Sequence, residues 1–147
     1  MKKALLIVIF CLLLTGCQNS FTTQNNDIKR SDEKVSDIKV TINDKDYTLK
    51  LENNNTVEEF INLLPQEFTM SELNGNEKYV YMDNYLTINS YNPKHIEKGD
   101  VMLYGNNCLV IFYKSFDTPY EYTKIGHIDN LENLGNKSIT ARIGKQK

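Results

Sequence analysis

The residues able to do chemistry are few and poorly spaced for it. The two histidines are His95, in the polar stretch "NPKHIEKG", and His127, in "IGHID". Neither has a second histidine or a cysteine at metal-ligand spacing, and no CxxC pair is present, so no metal site is expected. His127 has Asp129 two residues on, but no serine or cysteine stands in a nucleophile turn such as GxSxG. Glu58 and Glu59 adjoin in sequence, yet they open a helical pattern, where capping and the helix dipole explain them better than acid–base catalysis. The seven glycines are scattered and form no phosphate-binding loop. Cys108, in "CLVIFY", is surrounded by apolar residues, which favours a buried, inert thiol over a nucleophile. No catalytic residue and no cofactor is assigned on this basis.

Aromatic density is the feature worth following. Of nine tyrosines, eight lie between Tyr79 and Tyr122, and Phe112 and Phe116 fall among them. Tyrosine joins an apolar body to a polar tip, which suits a groove for peptide or sugar; the plainer alternative is that these residues fill amphipathic barrel staves. The segments "LYGNN" and "FYKSFDTPYEY" place Tyr104, Phe112, Tyr113, Phe116 and Tyr120 near loops, where binding groups commonly gather. They are the candidate rim of a ligand site.

The elements that position these residues follow a distinctive start. "MKKALLIVIFCLLLTGC" has two lysines, an apolar run from Ala4 to Leu14, and then Thr15, Gly16 and Cys17. Such a run is shorter than the roughly 20 residues that span a bilayer but fits the core of a secretory signal. "LTGC" resembles the lipobox of bacterial lipoproteins. The resemblance implies a signal peptide over residues 1–16, cleavage in front of Cys17, and lipidation of its thiol. The expected location is the extracytoplasmic face of a bacterial membrane, with the membrane itself as a partner through the acyl chains. Each buried methylene of those chains contributes about 0.8 kcal/mol to anchoring. Residues 18–36, "QNSFTTQNNDIKRSDEKVS", are polar and aperiodic and read as a flexible tether. Its span averages roughly 25 Å and reaches about 65 Å at full stretch.

Residues 37–147 form the one folded domain. Removing Lys2 and Lys3 with the leader leaves 15 basic against 19 acidic residues, interspersed, which argues against nucleic acid and against electrostatic attachment to anionic lipid. "DIKVTINDKDYTLKL" reads as a hairpin turning at "DK", with Ile38, Val40, Ile42, Tyr47, Leu49 and Leu51 apolar at alternate positions. "NNNTVEEFINLLP" reads as a short amphipathic helix, with Thr56 and Glu59 as capping box and Pro65 as terminator. "EFTMSEL", "YVYM", "YLTI", "VMLY", "CLVIFY", "YTKIGHID" and "SITARI" read as short strands, and "NLENL" as a helical turn. "CLVIFY" is apolar at every position and should be buried on both faces. The expected fold is mainly β: a small closed or nearly closed antiparallel barrel with one short α-helix.

The ordered motifs "INDKDYTLKL", "TVEEFINLLP", "FTMSELNGNEKYVYM", "KGDVMLYGNNCLVIFYKSF" and "IGHIDNL" resemble the bacterial cyclophilin-like family of small single-domain proteins. The similarity runs from about Ile38 to Arg142 and implies a barrel related in shape to cyclophilin. It brings no functional residue with it. His127 stands where many relatives have arginine or lysine; were it to line a cleft, charge there would depend on pH, so it joins the candidate ligand residues. Cyclophilins that isomerise X-Pro bonds use an arginine beside an aromatic and apolar pocket near "FxxQGG". That signature is missing, and Arg142 is the one arginine of the domain. The expectation is a non-catalytic module that binds an envelope protein, a peptide or a small ligand. Peptidyl-prolyl isomerase activity is the alternative. A structural or immunity-type surface protein without a small-molecule site is a third reading, which a filled barrel interior would favour.

Overall fold

The computed structural model describes residues 37–144. Cys17, the leader and the tether lie outside the described residues. The elements run β1 (Asp37–Ile42), β2 (Lys45–Leu51), α1 (Asn55–Asn62), β3 (Gln66–Leu73), β4 (Glu77–Tyr81), β5 (His95–Ile96), β6 (Asp100–Tyr104), β7 (Cys108–Phe112), β8 (Phe116–Asp117), β9 (Thr123–Ile128) and β10 (Ile139–Gly144). Eight strands close into a barrel in the order β1-β10-β3-β4-β7-β6-β9-β2, and β5 pairs with β8 in a separate two-stranded sheet. All pairings are antiparallel. Closure removes the open edges at which a small sheet would otherwise recruit another chain.

Alternation fills the interior. Ile38, Val40 and Ile42 of β1, Leu49 of β2, Met70 of β3, Val101 and Leu103 of β6 and Leu109 and Ile111 of β7 all join one buried cluster. Helix α1 adds Val57 and Phe60 to it, so its apolar stripe plugs the barrel. A fully buried phenylalanine contributes on the order of 2–3 kcal/mol by transfer alone. Strand β7 is buried at all five positions, as its unbroken apolar run predicts. Its second face packs in an outer cluster of Ile96, Met102, Cys108, Val110, Phe112 and Tyr122. The β5–β8 sheet supplies Ile96 and Phe116 to this cluster and so roofs one side of the barrel.

Four local expectations differ from the structure. The β1–β2 turn is Asn43–Asp44, one residue earlier than "DK", because both adopt positive φ (46° and 67°), as a tight two-residue hairpin requires. The helix is capped by Asn54, whose side chain accepts from the Val57 N–H at 2.9 Å. Thr56 instead donates to the Thr87 carbonyl at 2.6 Å, and Glu59 accepts from the Thr87 N–H and hydroxyl at 2.7 and 2.6 Å. These contacts account for the third difference: "YLTI" is no strand. Its backbone donors go to Glu59 and to the Asn106 carbonyl rather than to a ladder. Finally, "NLENL" forms no helical turn. Leu131 is buried and Leu134 packs on the core, while Asn130 and Gly135 at positive φ bend the chain out of helical geometry.

Candidate binding cleft

The outer faces of β4, β7 and β6 build the cleft. Alternation turns Glu77, Tyr79 and Tyr81 of β4 outward. The register sets Tyr79 opposite Val110, Tyr81 opposite Cys108, and Tyr104 opposite Cys108 from the other side. Tyr120 and Tyr122 come in from the segment before β9. The result is a cleft of about 300 Å³ walled by five tyrosines, floored by Cys108 and Val110, and closed at one end by Leu73, Asn74 and Glu77.

The rings brace one another. Tyr79 and Tyr81 meet edge to face at 5.9 Å and 80°, and Tyr104 meets Tyr120 at 6.2 Å and 83°. Tyr104 also packs on Tyr122 at 5.7 Å, and Tyr122 on Phe112 at 5.5 Å. Pairs of this kind contribute roughly 0.5–1.5 kcal/mol beyond area burial. They hold the walls against a rigid outer core while Tyr81, Tyr104 and Tyr120 stay well exposed.

Glu77 is the one charged residue lining the cleft. Burial, then the nearby Glu72 carboxylate, raises its pKa above the ordinary value, and no hydrogen bond or cation among the described residues offsets this. Burial, followed by the Glu77 charge, pushes the Cys108 thiol up to about 11. The thiol is therefore protonated at neutral pH, which makes it part of the floor and not a nucleophile.

The candidate residues are divided by the structure. Tyr104 and Tyr120 line the cleft. Phe112 and Phe116, 5.5 Å apart, belong to the outer apolar cluster behind it. Tyr113 does not reach the rim: it is 2% exposed in the barrel core, and its hydroxyl donates to Glu72 at 3.2 Å. His127 lies on β9 away from the tyrosines, its Nδ1 3.0 Å from the buried Asp100 carboxylate. Asp100 also accepts from the Glu97 N–H at 3.0 Å, so the group around His127 ties down the turn before β6. Tyr79, Tyr81, Tyr122, Glu77 and Cys108 were missing from the sequence-derived rim. The period-two face of "EKYVY" was the signal that could have found three of them.

Arg142 projects outward from β10, bonded to Glu67 at 2.7 Å and Asp44 at 3.3 Å. It does not line the tyrosine cleft. No group of three metal-ligating side chains occurs among the described residues. No helix among them is long and apolar enough to cross a membrane.

A closed eight-stranded barrel plugged by one helix, with its outward cleft beside the β4–β7–β6 face, defines the class of protein. The sequence model of the cyclophilin-like family matches residues 40–144, most of the chain, and the protein belongs to that family. Neither the curated proteins nor the solved structures contain a match to it.

Proposed function

We propose that this protein is an extracytoplasmic lipoprotein, held to a bacterial membrane through Cys17, whose barrel binds a peptide, small ligand or envelope protein without catalysing a reaction. The observation that carries the reading is the tyrosine cleft: preformed, braced from behind, and supplied with one carboxylate, Glu77, but with no histidine, lysine or arginine to work with it. The filled barrel interior favours a surface protein without a ligand site, but the cleft lies outside the barrel, and its aromatic walls with few polar groups suit recognition. Isomerisation of the cyclophilin type would need an arginine beside the pocket, and Arg142, the sole arginine of the barrel, is engaged elsewhere by Glu67 and Asp44. The lipid anchor rests on the "LTGC" motif behind its apolar core. A tether between anchor and barrel gives the cleft access to partners above the membrane.

The closed barrel, its plug and both apolar clusters fall within residues 37–144, so residues 35–147 contain a complete folding unit. NMR exchange spectroscopy on that unit with a panel of X-Pro peptides tests the reading. The expected outcome is shifts of cleft amides such as Tyr79 and Val110, without cis/trans exchange cross-peaks. Cross-peaks that disappear in Arg142→Ala would make the protein an isomerase and overturn the proposal.

A further inference from the structure

Glu77 has no evident structural use. It is half-buried, it receives neither a hydrogen bond nor an ion pair among the described residues, and its neighbour Lys78 points to the other side of the sheet. An ionised carboxylate in such a place costs free energy unless something supplies the missing charge. The cleft around it holds no lysine, arginine or histidine. What it does hold is aromatic: two tyrosine pairs set at 80° and 83° form corners on either side of β7. Tyr81 and Tyr104 both stand level with Cys108, so these rings wall the body of the cleft beyond Glu77 and suit an apolar stem there.

The layout along the strand adds a direction. Glu77 lies at one end, level with Leu73, and Tyr81 lies four residues away, roughly 13 Å along β4. The floor between them is the apolar Val110 and Cys108. A ligand matched to this surface is charged at one end and apolar along its body.

We propose that the tyrosine cleft takes an alkylammonium, its charged head paired with Glu77 and its chain lying over Val110 and Cys108 between the tyrosine walls. This rests on the binding-module reading and names the chemistry that module selects. An anion is disfavoured by Glu77, and a neutral ligand leaves that carboxylate unpaired. A free amine and a lysine side chain on a partner offer the same head and stem.

The probes are hexylammonium and its neutral counterpart 1-hexanol, titrated into residues 35–147 while amide shifts are followed. Hexylammonium is expected to shift Tyr79, Cys108 and Val110 and to bind at least tenfold more tightly than hexanol. Glu77→Gln should remove that advantage and leave hexanol affinity within twofold. Tyr104→Leu, at an exposed position level with Cys108 and so beside the chain rather than the head, should weaken both ligands alike and leave the tenfold ratio standing, and its retained fold guards against a misfolded first variant. Equal affinity of the two ligands, with no effect of Glu77→Gln, would overturn the charge selection and leave an apolar binding cleft standing. Cleft shifts from neither ligand would sink both. In the supporting case, N-acetyl-lysinamide distinguishes the sources: binding tighter than hexylammonium points to a lysine on a peptide, weaker binding to a free amine.

Discussion

Glu77 and Lys78 are adjacent, oppositely charged and kept apart by the strand that carries both. In sequence they look like a solvated ion pair. In β4 their side chains leave from opposite faces, Glu77 into the cleft and Lys78 into the barrel, where it is fully buried. Lys78 is satisfied there by the Gly135 and Lys137 carbonyls at 2.6 and 2.8 Å, with its ammonium 4.8 Å from the Tyr113 ring. Its pKa is lowered by burial, and Glu72 acts against that. Glu77 finds no such partners, and its raised pKa makes a stability prediction with a definite sign. A carboxyl that holds its proton more tightly when folded stabilises the fold below its unfolded pKa; that contribution is lost as pH rises through the raised value. Glu77→Gln should therefore melt a few degrees higher than the wild type at pH 7, and the two should converge near pH 3. A lower melting temperature for the variant at pH 7 would contradict this account. None of it was legible in "NGNEK", because adjacent charges look alike whether they face water or the inside of a barrel.

The elements were easier to read than the residues, wherever burial left a period. The alternation of β1 and the all-apolar run of β7 each mark their strands, since one buried face repeats every second residue and two leave no polar position. "YLTI" carries the same alternation but lacks a partner strand, and sequence does not show whether a ladder exists. Thr56 and Asn54 both have cap chemistry; the choice falls to Asn54, whose amide also donates to the Lys124 carbonyl at 2.9 Å, while the Thr56 hydroxyl is drawn to the 85–90 segment. Barrel closure was likewise hidden in a glycine. Gly126 sits opposite Leu51 in the β2–β9 pairing, and a Cβ there would lie 2.1 Å from the Lys50 carbonyl oxygen. The two strands approach so closely that only hydrogen fits. Gly126→Ala should cost about 2–3 kcal/mol, read as a lowered urea midpoint with faster amide exchange at Leu49 and Leu51 than in β4. A variant as stable as the wild type would mean the seam opens without penalty.

At the scale of the molecule, the order of motifs carried the family and the barrel, while the site was only half visible. Tyr104 and Tyr120 are on the cleft, but Tyr113 and His127 are turned away by registers that no single segment reveals. The proposed anchor makes its own prediction. Cys17→Ser in the full chain should move the protein from the detergent phase to the aqueous phase on cloud-point partition and abolish labelling by radioactive palmitate. Unchanged detergent partition would refute the lipid anchor. Lys78 has a last consequence, which bears on the proposed extracytoplasmic setting. It clasps the backbone of the 129–138 connection from within the barrel, and one of the carbonyls it holds belongs to Lys137 itself. A protease must draw a stretch of extended chain into its own groove before it can cut. The Lys137–Ser138 bond, in an irregular segment that would otherwise invite trypsin-like cleavage, is withheld for as long as the clasp stays closed.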